Sequence, residues 1–438
     1  MKKLFLSLGI FLCAGMASLS AQHIEFEEYD LDNGLHVILH QDRSAPVVTT
    51  SVMYHVGAKD ELPDRTGFAH FFEHLLFEGT ENIPRGQWDK ILSSNGGQGN
   101  ANTTDDRTYY YETFPSNNLE LALWMESERM FHPVINQVGV DTQREVVKEE
   151  KRQRSDNAPY GKMFQVVKKN LFTNHPYRWE TIGDMEHINA ATLDEFQAFF
   201  KKFYTPNNAV LVLAGDFDKT QAKKWIKDYF GSIPKGAGLT RKQYTEQPIT
   251  KQINVTFEDP NIQIPMLINA YRTPSFKDRD TYVLDLISSV LSDGKSSRLY
   301  NKMVDKDKTA LDVGSFILPQ EDYGFYMILG MPMSGKTVED IQASFDAEIE
   351  RISSELISEE EYKKIQNKIE NIFVNQNSST DGIAGNLASY YMLYGNTNLI
   401  NSEIDIYRSI TREEMRDVAK KYLQPNQKVA VNYAPKSN

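Results

Sequence analysis

Two short segments of this 438-residue chain resemble each other at a separation of about half its length. Residues 201–207 read K-K-F-Y-T-P-N, and residues 420–426 read K-K-Y-L-Q-P-N. Each segment follows an amphipathic helical pattern and precedes a short apolar run that is typical of a strand. A diverged internal duplication explains the recurrence, and chance recurrence of a common helix–turn–strand unit is the alternative. The chain is therefore expected to fold into two related halves.

Helical and strand patterns alternate in both halves, which favours an α+β fold class with mixed α/β domains. Asp218 and Thr337 are well placed to cap helices that follow apolar strands. Strands are predicted at 37–39, 47–54, 210–214 and 325–329. The first two of these strands are expected to form a hairpin-like pair.

The length of the chain suits two large domains better than one compact core. Residues 232–252 are rich in Gly, Pro, Thr and Gln and are the candidate linker. This divides the chain into an N-terminal domain at 22–231 and a C-terminal domain at 253–438.

The first 21 residues have the layout of a secretory signal peptide. Lys2 and Lys3 precede a short apolar run at 4–12, and a small residue, Ala21, stands at the expected cleavage site. A membrane anchor or a lipid on Cys13 are the alternatives, but the apolar run is shorter than the ~20 residues that span a bilayer. We expect an exported protein, either periplasmic or secreted.

The composition narrows the possible partners and ligands. Cys13 is the only cysteine, so a mature chain would hold any metal with His, Asp or Glu. The net charge of −12 disfavours nucleic acid and anionic membranes as partners. No nucleic-acid partner is expected, and no membrane insertion after the signal peptide is removed.

The pattern H-x-x-E-H at residues 70–74 lies in a segment that reads as a helix. His70 and His74 are four residues apart and therefore share one helical face, where both can bind one metal ion. Glu73 lies beside that face and can act as the general base for a metal-activated water. The alternative is two surface histidines near a glutamate, but the surrounding Phe and Leu residues indicate a buried helix.

A catalytic zinc usually has three protein ligands, so a third is needed. Glu150 lies in a charged helical stretch, 141–154, and its spacing places it on the same side as Val146 and Val147. Glu149 is turned about 100° away. From spacing alone, a solvated glutamate in a charged run is an open alternative for Glu150.

Residues 57–79, which read G-A-K-D-E-L-P-D-R-T-G-F-A-H-F-F-E-H-L-L-F-E-G, resemble the pitrilysin/insulinase family of inverted-motif zinc peptidases. The resemblance is strongest to its processing-peptidase-like two-domain group. It implies one Zn²⁺ per chain and selects Glu150, in its V-V-x-E-E context, as the third ligand. It also implies two homologous domains that form half of a clamshell chamber.

Residues 96–103 resemble the family's edge strand, which pairs with an extended substrate. The resemblance implies substrate-binding roles for Asn100, Ala101 and Thr103. Without it, an ordinary glycine turn followed by a polar strand would be the preferred interpretation. Residues 175–177 and 182–183 resemble further family segments.

Two departures from the family pattern concern the site. Gln143 stands where a supporting glutamate is frequent, and we expect it to donate a hydrogen bond behind the metal ligands. Val304 and Leu311 stand where many active members carry an Arg and a Tyr that stabilise the oxyanion. A homo- or heterodimer with a related subunit that supplies those groups is therefore expected.

These features together predict a zinc-dependent endopeptidase that hydrolyses peptides or unfolded polypeptide segments. The alternative is a non-catalytic or half-catalytic scaffold subunit that requires a partner for the oxyanion-stabilising Arg and Tyr. The second half has no zinc motif of its own, because Asp285, Ser288 and Ser289 stand where the ligands would lie.

Overall fold

The computed structural model describes residues 23–436. The predicted signal peptide lies outside the described residues. Between residues 23 and 436, no helix is both long enough and apolar enough to cross a membrane.

The first half builds a mixed six-stranded sheet with helices packed on it. Its strands are β1 (Glu27–Asp30), β2 (His36–Gln41), β3 (Val47–Tyr54), β4 (Gln98–Thr103), β5 (Thr108–Pro115) and β6 (Ala209–Gly215). Its helices are α1 (Phe68–Leu75), α2 (Trp88–Ser94), α3 (Leu119–Phe131), α4 (Gln137–Lys151), α5 (Met163–Leu171), α6 (Met185–Ala190), α7 (Leu193–Phe203) and α8 (Lys219–Phe230).

The second half builds a five-stranded sheet. Its strands are β7 (Ile253–Asp259), β8 (Met266–Thr273), β9 (Ala310–Leu318), β10 (Gly324–Pro332) and β11 (Lys428–Pro435). Its helices are α9 (Arg279–Ser292), α10 (Val338–Ser354), α11 (Glu359–Gln376), α12 (Thr380–Ser389), α13 (Leu399–Ser409) and α14 (Arg412–Tyr422). Asp218 and Thr337 cap α8 and α10 as predicted.

Apart from β1, which has no counterpart in the second sheet, the two sheets have the same topology, and this confirms the internal duplication. The strand order is β1-β2-β6-β3-β5-β4 in the first and β7-β11-β8-β10-β9 in the second. The parallel pair β2–β6 corresponds to β7–β11, and the remaining matched pairs are antiparallel. The two similar heptapeptides precede β6 and β11, which occupy matching positions. The predicted α+β class with two homologous domains is therefore correct.

The predicted hairpin-like pairing of 37–39 with 47–54 is wrong. Strand β6 lies between them, parallel to β2 and antiparallel to β3. Every residue of β6 is buried, so this apolar strand is best accommodated inside the sheet, with hydrogen-bonded neighbours on both sides. Strand β2 instead pairs on its other side with β1.

Each half contributes a helix to the core of the other. In the core around α12, Ile383 and Leu387 lie with Val210 and Val212 of β6. In the core around α5, Val167 and residues of β8 and β11 are buried together. The halves are therefore interlocked, although residues 232–252 contain neither helix nor strand. The exact domain boundaries stay a prediction.

A buried ionic cluster also joins the halves. Glu321, in the β9–β10 turn, contacts His55 at 2.7 Å and the ammonium of Lys59. Lys59 also contacts Asp106 at 3.0 Å, and the amide of Glu321 donates to the Asp106 carboxylate. Burial alone would raise the pKa of Glu321, but His55 and Lys59 lower that pKa to about 2. The turn of the second half is thus fixed beside the β4–β5 turn of the first.

Candidate metal centre

Helix α1 begins at a close approach of two backbone segments. Gly67 precedes the helix with φ of +93°, and a Cβ there would lie 2.8 Å from the carbonyl oxygen of Ile182. A Cβ on Gly183 would lie 2.4 Å from Gly67. Glycine is required at this contact for its conformation and its small size. Residues 182–183, which resemble a family segment, therefore pack against the start of α1 and fix its position.

Buried ionisable side chains form hydrogen bonds with both ends of α1. The buried carboxylate of Glu61 accepts from the amides of Gly67 and Ala69, at 2.8 and 2.9 Å. At the other end, the buried guanidinium of Arg129 donates to the carbonyl oxygen of Leu76 at 3.2 Å. Burial raises the pKa of Glu61 well above its usual range, and the two amide hydrogen bonds oppose this rise. At the other end, the guanidinium of Arg129 complements the negative end of the helix dipole. These contacts fix the orientation of the motif side chains.

His70, His74 and Glu150 converge on one point. Their potential ligand atoms all lie within 4.8 Å of one another. The carboxylate oxygen Oε2 of Glu150 is 3.4 Å from His70 Nε2 and 3.1 Å from His74 Nε2. The structure thus brings together the three residues that were predicted to bind metal.

This group of atoms fits a zinc ion. Ligand atoms about 2.1 Å from a tetrahedral zinc lie roughly 3.4 Å apart, close to the two distances found here. Glu150 Oε2 is buried and has no hydrogen-bond partner among residues 23–436. Burial, followed by the neighbouring His74, lowers the pKa of His70 to about 4. The imidazole is therefore neutral near pH 7, as a metal ligand must be.

The choice between the two adjacent glutamates is clear in the structure. The side chain of Glu149 is 53% exposed and contacts Arg152, whereas that of Glu150 is 14% exposed. Val147 is buried as expected, but Val146 is 43% exposed and lines the cleft. The side of α4 that Glu150 shares with the two valines is therefore only partly buried, because α4 forms the wall of an open cleft.

Glu73 lies in the same cleft and is held by a residue of β4. Thr103 Oγ1 donates to Glu73 Oε2 at 2.7 Å. Burial raises the pKa of Glu73, and the Thr103 hydrogen bond opposes this rise. The sequence analysis predicted a substrate-binding role for Thr103. The structure shows in addition that Thr103 forms a hydrogen bond with Glu73.

The cleft at the metal group has a volume of about 1110 Å³ and is bordered by β4. Strand β4 is the edge strand of its sheet and pairs only with β5 among the described strands. Asn100 is exposed and Ala101 is buried. The amide of Ala101 donates to the side chain of its neighbour Asn100 at 2.9 Å rather than to another strand.

Gln143 was expected to support the metal ligands, but its hydrogen bond goes to another residue, whereas Arg154, for which nothing was predicted, contacts a proposed ligand. Gln143 Nε2 donates to Glu78 Oε1 at 2.6 Å, while its own Oε1 is buried without a partner among the described residues. Arg154 contacts Glu150 Oε1 at 2.6 Å and is 77% exposed. Its i, i+4 spacing from Glu150 is a signal that could have identified it from the sequence.

Two family models match the chain. The model described as insulinase (peptidase family M16) matches residues 36–184, and the model described as peptidase M16 inactive domain matches residues 190–369. Together they cover most of both halves. The chain belongs to the insulinase family, M16.

Relatives of this M16 chain include proteins named as proteases. It is 28% identical over 431 residues to zinc protease PqqE of Helicobacter pylori, covering 96% of this chain and 95% of the relative. It is 24% identical over 307 residues to an uncharacterized zinc protease, YmxG, of Bacillus subtilis, covering 69% and 73% of the two chains.

Solved structures share the M16 fold. A crystal structure of a protease from Helicobacter pylori superposes with a TM-score of 0.89 at 27% identity, covering 94% of this chain and 100% of that one. The periplasmic protease PqqL of Escherichia coli superposes with a TM-score of 0.79 at 19% identity. That match covers 95% of this chain but 48% of PqqL, so this chain spans about half the length of PqqL.

Two positions in the second half of this M16 chain were aligned with an Arg and a Tyr of active family members, and both carry apolar side chains. Val304 packs against the core of the second half, and Leu311, on the edge strand β9, is 48% exposed. Helix α9 occupies the topological position of α1. Its Asp285 accepts a hydrogen bond from Tyr407 at 2.9 Å.

Proposed function

We propose that this chain is a zinc-dependent endopeptidase that hydrolyses peptides or unfolded polypeptide segments. The observation that carries the proposal is the convergence of His70, His74 and Glu150 beside Glu73 in one open cleft. The names of the M16 relatives as zinc proteases support it.

His70, His74 and Glu150 would hold the metal. A bound zinc supplies Lewis acidity, which acidifies water and polarises a carbonyl group. Glu73 is the general base in this proposal: it takes the proton of the attacking water and then donates it to the leaving amine. The hydrogen bond from Thr103 keeps the Glu73 carboxylate on the cleft side of α1.

The free edge of β4 would orient the substrate. An extended peptide can add to this edge through main-chain hydrogen bonds, a mode of binding that depends little on side chains. The amide of Ala101 is the donor for this pairing, once a substrate carbonyl replaces the side chain of Asn100. This supports the roles proposed for Asn100, Ala101 and Thr103.

A half-catalytic role is the second candidate, and it rests on Val304 and Leu311. Neither side chain can donate a hydrogen bond to an oxyanion. In this version the chain binds zinc and pairs, as a homo- or heterodimer, with a related subunit that supplies an Arg and a Tyr. The match to half of PqqL supports a chamber built from two such units.

Export to the periplasm or the cell exterior is a further part of the proposal. It rests on Lys2, Lys3, the apolar run 4–12 and Ala21. N-terminal sequencing of the protein from its native cells should give Gln22 as the first residue. A chain that retains Lys2 and Lys3 would contradict cleavage.

Metal removal and restoration test the proposed activity. Purified chain is dialysed against a chelator, assayed on a quenched fluorescent peptide, and assayed again after one equivalent of zinc is added. Hydrolysis should disappear and return. If the zinc-loaded chain is inactive alone but active with a related subunit, the half-catalytic version holds. Hydrolysis that survives chelation in a metal-free chain would contradict both versions.

A further inference from the structure

A cavity of about 410 Å³ in the second half lies beside α9, the helix that occupies the topological position of α1. Residues of α9, β9, α11 and α13 line it, and among the described residues none also lines the metal cleft. Most of α9 is buried, yet the face toward this cavity is polar along its whole length. The residues of that face are Asp285, Ser288, Ser289, Ser292 and Asp293.

Two carboxylates of this cavity have no compensating cation. Asp285, on α9, accepts a hydrogen bond from Tyr407 at 2.9 Å. Glu403, on α13, accepts one from Tyr390. No Lys, Arg or His among residues 23–436 forms an ion pair with either carboxylate, and burial raises the pKa of both. Ionised carboxylates in such a setting are costly unless a cation joins them.

Two acceptor atoms on the cavity wall are free. Tyr407 bonds to Oδ2 of Asp285, so Oδ1 has no partner among the described residues. Ser289 is 8% exposed and lines the cavity, and its Oγ also has no hydrogen-bond partner between residues 23 and 436. The other serines of this helical face form hydrogen bonds within the protein. A ligand with donor groups would satisfy both free atoms.

The composition of the cavity favours an organic cation over other ligands. Among the described residues, only the metal centre brings three carboxylate or imidazole ligand atoms within 4.8 Å of one another, so the acidic residues here do not form a metal cage. An anion would be repelled, and a neutral alcohol would leave the carboxylates uncompensated. Phe316, Phe373 and Tyr407 add aromatic surface, which suits an alkyl chain and a positive charge.

We propose that this cavity binds a small primary alkylammonium ion. The ammonium group donates to Asp285 Oδ1 and Ser289 Oγ beside Glu403, and the alkyl chain packs against the aromatic wall. An ammonium group has donors only, which matches a wall that offers free acceptors. The volume is in the range of sites for small molecules. The site is separate from the metal centre and does not depend on the proposed hydrolysis.

Calorimetric titration of the purified, zinc-loaded chain tests the site with three probes of equal length: pentylammonium, pentan-1-ol and pentanoate. Zinc occupies the acidic residues of the metal centre and removes them as a competing site. Pentylammonium should bind at about one per chain and at least about tenfold tighter than pentan-1-ol, and pentanoate should not bind.

Four outcomes of this titration would overturn the proposal. They are no binding of pentylammonium, equal binding of the amine and the alcohol, tighter binding of pentanoate, and tighter binding of a blocked lysyl tripeptide than of pentylammonium. The last outcome would assign the site to a lysine side chain of another polypeptide instead of a free amine.

Substitutions of nearly equal shape locate the site. Asp285→Asn keeps an acceptor for Tyr407 but removes the charge, so pentylammonium should bind at least about tenfold more weakly. Glu403→Gln, which removes the other charge, should also weaken binding at least about tenfold, and Ser289→Ala should weaken it about threefold or more. Asp405→Asn, at an exposed position on α13, is the matched control and should stay within about twofold of the wild type.

The circular dichroism spectrum of each variant shows whether it is folded. Ser289→Ala is the smallest change, and it tests the site even if a carboxylate variant does not fold. Folded Asp285→Asn, Glu403→Gln or Ser289→Ala that binds pentylammonium as tightly as the wild type would overturn the proposal.

Discussion

At the scale of single residues, the structure distinguishes two adjacent glutamates on α4. Glu150 points at His70 and His74, whereas Glu149 contacts Arg152 at the surface. Spacing alone left a solvated Glu150 possible. The difference arises because α1 packs beside α4 and turns one side of it away from water.

Substitution of these glutamates should have unequal effects on zinc affinity. Glu150→Gln removes an anionic ligand, so the zinc dissociation constant should rise at least about 100-fold. Glu149→Gln is the matched control and should change it less than about twofold. Competition with a chromophoric zinc chelator measures both values. The assignment of Glu150 would be wrong if the Glu149 variant lost the metal instead.

The hydrogen bond from Thr103 to Glu73 should contribute to turnover. Thr103→Val keeps the shape of the side chain but removes the donor, so kcat should fall by about tenfold. Zinc content should not change, since Thr103 contacts no ligand atom. Thr104→Val, one residue along, is the control and should keep kcat within about twofold. Unchanged kcat in Thr103→Val would argue against the positioning of Glu73 by β4.

At the scale of secondary-structure elements, the motif helix depends on buried side-chain hydrogen bonds at its two ends. Glu61 satisfies two amides at the start of α1, and Arg129 satisfies a carbonyl at its end. The helix has eight residues, too few to be stable alone. Tertiary contacts therefore determine where His70 and His74 point.

Removal of the N-terminal contact should destabilise the fold. Glu61→Ala leaves two buried amides without an acceptor, and the free energy of unfolding should fall by about 2–4 kcal/mol. Denaturant unfolding measures this change, with Glu360→Ala at an exposed helix position as the control, expected to stay within about 0.5 kcal/mol. Equal stability of the two variants would mean that Glu61 does not anchor the helix.

Some features of these elements could be predicted from the sequence, and others could not. Local signals located the caps at Asp218 and Thr337 and the motif helix, because each depends on a few neighbouring residues. The placement of β6 between β2 and β3 could not be predicted from local patterns, since strand order depends on contacts far apart in the chain. The exposure of Val146 was missed for a similar reason: helical spacing does not reveal which face borders a cleft.

At the scale of the whole molecule, the two halves are joined by exchanged helices and by the ionic cluster at Glu321. The second half lacks metal ligands in α9, yet it supplies α12 to the core of the first half. Its β9–β10 turn also contacts the turn that follows β4. The half without the motif therefore supports the half that carries it.

The ionic cluster should make stability depend on pH in acid. The pKa of Glu321 falls from 4.5 to about 2 on folding, so its stabilising effect is complete above pH 4.5 and is lost as pH falls toward 2. At pH 7, Glu321→Gln should lower the free energy of unfolding by up to about 3 kcal/mol. Below about pH 2.5 this difference from the wild type should largely disappear.

Denaturant unfolding of the wild type and of Glu321→Gln at several pH values measures this effect. Glu350→Gln, at an exposed position on α10, is the control and should follow the wild type within about 0.5 kcal/mol. A Glu321→Gln variant that matched the wild type at pH 7 would show that the cluster does not hold the halves together.

Peptide hydrolysis by three zinc-loaded proteins, the wild type, Glu73→Gln and Glu149→Gln, tests the proposed metal centre, provided that the zinc content of each is measured. We expect one zinc per chain in all three, with hydrolysis by the wild type and Glu149→Gln and a loss of at least about 1000-fold in Glu73→Gln. If the wild type needs a related subunit for activity, the same ratios should hold in the complex. Undiminished hydrolysis by zinc-loaded Glu73→Gln would contradict the role of Glu73 as the base.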